Sequence, residues 1–119
     1  MKAELIGFHS PDIFDLKVFN PLEKDHFCFY LEFSVGIKNE LGTDVFGITI
    51  CTPKWLIDNK HESDIIFGRH YLIVFEYNYS RMYNFIKIYI ENLEEDNWDK
   101  LAEKIGRIAY WEFEDYQEY

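Results

Sequence analysis

Between residues 27 and 37 the chain alternates almost without fault, with Phe27, Phe29, Leu31, Phe33, Val35 and Ile37 in one register and Cys28, Tyr30, Glu32, Ser34 and Gly36 in the other. A period of two places the apolar set on one side of a strand, so a long half-buried strand is expected here. The turn-rich segment KNELGTD at 38–44 follows, and 45–51 reads as the antiparallel partner of a hairpin. Upstream, residues 3–8 are a candidate first strand, closed by Ser10, Pro11 and Asp12.

Beyond the hairpin the period changes. Thr52 before Pro53 fits a helix cap and first helical position, predicting a short helix over 53–59 that turns Trp55 and Leu56 inward. A polar loop through His61, Glu62 and Ser63 comes next. The run RHYLIVFEY at 69–77 is apolar on both faces, which predicts a central strand covered by helices on at least one side. Ser80 is the expected cap of a helix whose stripe is Met82, Phe85, Ile86, Tyr89, Ile90 and Leu93. A further helix capped by Asp96 or Asn97 would bury Trp98, Leu101, Ala102, Ile105 and Ile108, with Gly106 weakening its last turn. From Tyr110 onward aromatic and acidic residues alternate, and a final strand fits this as well as more helix. The expected fold is α+β: a single domain with a four- to five-stranded, mostly antiparallel sheet and two larger helices on one face.

At 119 residues, 48% of them hydrophobic and 19% aromatic, the chain can bury one core without disulfide or metal staples. Its net charge of −10 repels phosphate backbones and anionic membrane surfaces and attracts basic partners. Neither a nucleic-acid nor a membrane partner is expected. The start of the chain has no signal-peptide pattern and no apolar run is long enough to span a bilayer, so a cytoplasmic protein is expected.

Candidate chemistry is sparse. His9, His26, His61 and His70 are scattered, with no HxxxH, HxH or HExxH spacing. GxGxxG, GxxxxGK and GxSxG are absent. Cys28 and Cys51 lie inside apolar segments and read as reduced core thiols, the alternative being a nucleophilic site that pairs Cys51 with His70. No catalytic, cofactor-binding or metal-ligating residue is therefore expected, and no small-molecule substrate.

Charge is unevenly spread. Residues 1–93 hold 13 acids and 9 bases, whereas residues 94–119 hold 9 acids and 3 bases, so most of the excess negative charge lies in the last fifth of the chain. Acidic ends usually serve solubility. A solubilising end has little use for Trp and Tyr, which concentrate at interface centres, so WEFEDYQEY reads equally as a binding edge. Its partner-binding candidates are Glu112, Glu114, Asp115, Tyr116, Glu118 and Tyr119. Trp111 and Phe113 fit a core plug and an interface equally well.

FHSPD at 8–12, VFGITICTPKWL at 45–56, FGRHYLIVFEYNY at 67–79 and NWDKLAEKIGRIAYWEFEDY at 97–116 resemble, in order, the blocks of the immunity protein 8 family. These small bacterial proteins protect cells from polymorphic or contact-dependent toxins. The resemblance implies that residues 1–119 form one immunity-protein domain. It also implies a non-enzymatic, cytosolic inhibitor of the C-terminal toxin domain of a delivered effector. A negative, aromatic surface suits a basic toxin domain, of which nucleases are one class. The loops at 14–24 and 61–65 depart from the family pattern and are candidates for cognate specificity. The rival readings are a generic acidic cytosolic adaptor and, behind it, a small enzyme.

Overall fold

The computed structural model describes residues 1–59 and 65–114. Five strands and three helices follow in the order β1 (Ala3–His9), β2 (Cys28–Ile37), β3 (Asp44–Cys51), α1 (Pro53–Asn59), β4 (Tyr71–Ile73), α2 (Tyr79–Glu91), α3 (Trp98–Ile105) and β5 (Tyr110–Trp111). The sheet runs β1-β2-β3-β4, and β5 lies against β3 on the side it shares with β4. Among the described residues only the β3–β4 pairing is parallel. The expected α+β architecture is thus the observed one.

The hairpin forms as its pattern demands. Cys28 faces Cys51 and Phe33 faces Phe46 across the ladder, and the connecting turn uses left-handed backbone at Asn39 (φ 70°) and Gly42 (φ 97°). Phe29, Leu31, Phe33 and Val35 are buried together with Phe46, Ile48 and Ile50, beneath Met82, Ile86 and Ile90 of α2 and Leu101, Ala102 and Ile105 of α3. Both larger helices therefore cover one face, as their apolar stripes require.

Five expectations need correction. The cap of α2 is Asn78, whose side-chain oxygen accepts from the Arg81 N–H; Ser80 already lies inside the helix. Its stripe is narrower than predicted, because Phe85 is 65% exposed. Helix α1 spans the predicted residues but has no buried side chain, and Trp55 and Leu56 are only half-covered. The run at 69–77 gives a three-residue edge strand instead of a central one. His70 takes left-handed backbone (φ 66°) just before β4. After Val74 donates to the Cys51 carbonyl, the chain turns away to the 14–24 loop, where Tyr77 N–H bonds the Lys24 carbonyl. Helix α3 is capped by Asn97, whose side chain accepts from Lys100 N–H, and stops at Ile105 with Gly106 as its C-cap, so Ile108, expected in its stripe, lies beyond the helix.

The two sheet edges differ. Along β1, Ala3 N–H donates to the Leu93 carbonyl, Glu95 N–H to the Met1 carbonyl and Leu5 N–H to the Glu91 carboxylate. Along the outer side of β4 no strand pairs among the described residues.

Candidate functional site

With α2 and α3 on one face, the other face of the sheet is left with the second register of each strand. Residues directly opposite in a ladder share a face, so β1, β2, β3 and β5 align His9, Glu32, Gly47 and Tyr110 in one row. Tyr30, Thr49 and Tyr71 form the next row across β2, β3 and β4. In the row beyond, Cys51 is fully buried between the half-buried Cys28 and the exposed Ile73.

Gly47 shapes this surface. A Cβ built there would lie 1.6 Å from the Tyr30 hydroxyl, so the Tyr30 ring crosses the space that a side chain would fill and reaches toward Tyr110. The Tyr30 backbone is held from both sides: its N–H donates to Asp12 Oδ2 at 2.9 Å and its carbonyl accepts from Ser10 Oγ at 2.6 Å. Burial, followed by the charge of Glu32 and the neighbouring Tyr110, pushes the Tyr30 hydroxyl above its ordinary pKa. It stays a protonated donor. Tyr110 is 51% exposed and its ring meets His70 edge-on at 6.3 Å. His70 is itself tied to the Gly106 carbonyl at 3.0 Å, and Cys51 is fully buried. Three phenols and a carboxylate on a flat, glycine-floored surface suit a guanidinium or ammonium group, by ring-face attraction and charge-assisted hydrogen bonds.

The acidic end joins this face at β5. Trp111 stands opposite Phe46 with rings nearly parallel at 6.3 Å, and its indole N–H donates to Asp44 at 3.3 Å. It is packed against the core. Phe113 is 41% exposed and meets Trp111 edge-on at 5.8 Å, so the core does not enclose its ring. Of the predicted partner-binding residues, Glu112 is exposed and stands two residues past Tyr110. Glu114 is half-covered and paired with Arg69, which also donates to the Gly106 carbonyl. Asp115, Tyr116, Glu118 and Tyr119 lie outside the described residues, as does most of the 61–65 loop.

Sequence reasoning missed Tyr30, Glu32 and Tyr110 as one group. Tyr30 and Glu32 sat in the register assigned to solvent, and their meeting with Tyr110 depends on β5 returning to β3. The legible signal was an outward register that places a tyrosine and a glutamate opposite a strand with glycine.

Among the described residues no group of three or more His, Cys, Asp or Glu is placed to hold a metal ion. No helix there is long and apolar enough to cross a membrane. The family model described as Immunity protein 8 matches residues 3–116, almost the full length of the chain. No curated protein and no solved structure matched it.

Proposed function

The chain belongs to the immunity protein 8 family, and on that premise we propose that it binds a cognate antibacterial toxin domain and neutralises it by protein–protein contact, without catalysis. The observation that carries this reading is the open sheet face, where Tyr30, Glu32 and Tyr110 converge over Gly47 beside the exposed Glu112. Tyrosines supply contact area at low entropic cost, and carboxylates steer a basic domain into place. The partner is a basic toxin domain, nucleases with phosphate-holding clefts being the class it fits best, and the encounter takes place in the cytoplasm. Glu112, Asp115, Tyr116, Glu118 and Tyr119 are the further residues assigned to the toxin contact, while the Glu114 carboxylate is engaged by Arg69.

The test is survival of cells expressing the cognate toxin domain, run in parallel with thermal melting. The double variant Glu32→Lys and Glu112→Lys changes charge without removing apolar area, and substitutions at such accessible sites shift stability by about 0.5 kcal/mol or less each. It is expected to melt like the parent and to lose protection. Trp111→Ala is expected to lose about 2–3 kcal/mol by removing a ring packed on Phe46, so it fails by unfolding instead. Full protection by the double variant moves the toxin contact off this face.

A further inference from the structure

The chain has three arginines, Arg69, Arg81 and Arg107. All three line a pair of adjoining cavities between α2 and the open edge of β4. The first, about 250 Å³, runs past Ile73, Phe75, Arg81 and Met82; the second, about 170 Å³, runs past Arg69, Tyr89, Arg107 and Ile108. Leu72 and Phe85 belong to both. In a chain of net charge −10 this rim carries three arginines and His70 against Glu76 and the Glu114 that pairs with Arg69. Arg81 and Arg107 form no side-chain ion pair among the described residues.

The floor is unusually apolar for a free surface. Phe85 is 65% exposed and Phe75 79%, and Ile73 adds to them. Patches of this kind mark interaction sites. The backbone points the same way. In β4, the His70 carbonyl and the Val74 N–H are spent on β3, and the Tyr71 N–H donates to the Gly68 carbonyl, so by the alternation of a parallel ladder the Tyr71 carbonyl and both polar groups of Ile73 face outward. On the β1 edge the Ala3 and Leu5 N–H groups are met by Leu93 and Glu91; the β4 edge has no strand beside it among the described residues. Arg69 is already paired with Glu114 of the chain's own acidic segment, which leaves Arg81 and Arg107 as the groove's available cations.

We propose that the β4–α2 groove is a second docking site, which receives an extended acidic segment of a partner protein as an added strand on β4. Ladder hydrogen bonds hold its backbone, the Leu72–Phe85 floor takes its apolar side chains, and Arg81 and Arg107 take its carboxylates. The site lies on the α2 side of β4, borders the open sheet face at Tyr71 and Ile73, and has the opposite charge preference.

Fluorescence anisotropy against three labelled nine-residue peptides tests this. One alternates Val and Glu, the second alternates Val and Lys, and the third is the acidic peptide with alternate backbone nitrogens methylated. The acidic peptide is expected to bind at least about tenfold more tightly than either other, a gap of about 1.4 kcal/mol. The double variant Arg81→Glu and Arg107→Glu is expected to abolish that preference while melting like the parent. Phe85→Glu is expected to abolish binding. The variant Glu32→Lys and Glu112→Lys is expected to bind the peptide normally, which separates this site from the toxin contact. No binding of the acidic peptide, equal binding of the lysine or methylated peptide, or indifference to the arginine reversal overturns the proposal. So does concentration-dependent dimerisation that Phe85→Glu abolishes, because a second copy would then be the occupant.

Discussion

The two faces of β2 share one backbone and differ in everything else. Phe29, Leu31, Phe33 and Val35 lie under α2 and α3 at 4% exposure or less, while Tyr30, Glu32 and Ser34 on the opposite face stay half-accessible. The covered side contributes burial, roughly 1.5–3 kcal/mol for each large apolar side chain relative to exposure. The open side contributes little to folding, which leaves its residues available for recognition. The comparison teaches how a two-layer α+β protein divides stability from binding: the period of the strand sorts residues into those the helices cover and those a partner can reach. It also gives a rule that mutation can break.

The largest expected effect lies on the covered side. Phe33 is 1% exposed and stacks on Phe46 at 5.9 Å, so Phe33→Ala leaves a ring-sized cavity under two helices. A loss of about 3–5 kcal/mol is expected. That is a large part of the stability of an ordinary domain, about 5–15 kcal/mol. Urea unfolding at constant m-value measures it, and toxin protection should fall in step with the folded fraction. If Phe33→Ala remained fully stable, the helix-covered face would not be the main core.

A smaller effect sharpens the picture where the 14–24 loop meets the covered side. The Tyr77 hydroxyl donates to the Leu16 carbonyl, and the ring packs edge-on against Phe27 and Phe19. Burial, helped by Tyr79 and Asp15, raises its pKa from the ordinary 10.0 to about 12. The folded state thus holds this proton more tightly than the unfolded chain does. The associated stability is complete below pH 10 and is lost as pH rises toward 12. Tyr77→Phe is expected to cost about 1 kcal/mol at neutral pH, through the Leu16 carbonyl left unsatisfied. It should also flatten the fall of melting temperature across that alkaline window, with a residual slope from Tyr30 and Tyr79, whose values are raised as well. An unchanged alkaline slope would mean that Tyr77 is solvated in the fold.

Local pattern made most of this architecture legible. The alternation at 27–37, the Thr52–Pro53 signal and the stripes of α2 and α3 each specify an element from residues a few positions apart, and the elements formed where they were read. The failures share a cause. An apolar run is the same string whether both faces are buried or one is an exposed docking edge, so YLIVF was read as central when Ile73 and Phe75 in fact meet solvent. The candidate site was half-legible for a related reason. The acidic–aromatic end was visible, but its neighbours were set by the distant pairing of Tyr110 with Gly47. Glu114 was read as a binding group without knowledge that Arg69, 45 residues earlier, would meet it.

The smallest stability effect is the sharpest test of the division between faces, and Gly47 provides it. The residue sits in the middle of β3 without left-handed backbone, so alanine is acceptable to the chain there. What the new methyl meets is the Tyr30 side chain, whose hydroxyl would be 1.6 Å and whose Cζ 2.3 Å away. The obstacle is the far end of one ring on an accessible face, so the ring can swing aside at little cost. Gly47→Ala is expected to change unfolding free energy by about 0.5 kcal/mol or less. The displaced ring, however, no longer lies between Glu32 and Tyr110, and the surface that a basic group would meet is dismantled. Toxin protection is therefore expected to fall sharply with a melting temperature close to the parent's, and Tyr30→Ala should reproduce the loss. If Gly47→Ala lowers the melting temperature by many degrees, Tyr30 is part of the core and the two faces do not divide the work. If stability and protection both survive, the open face is structural ornament and the toxin is gripped elsewhere.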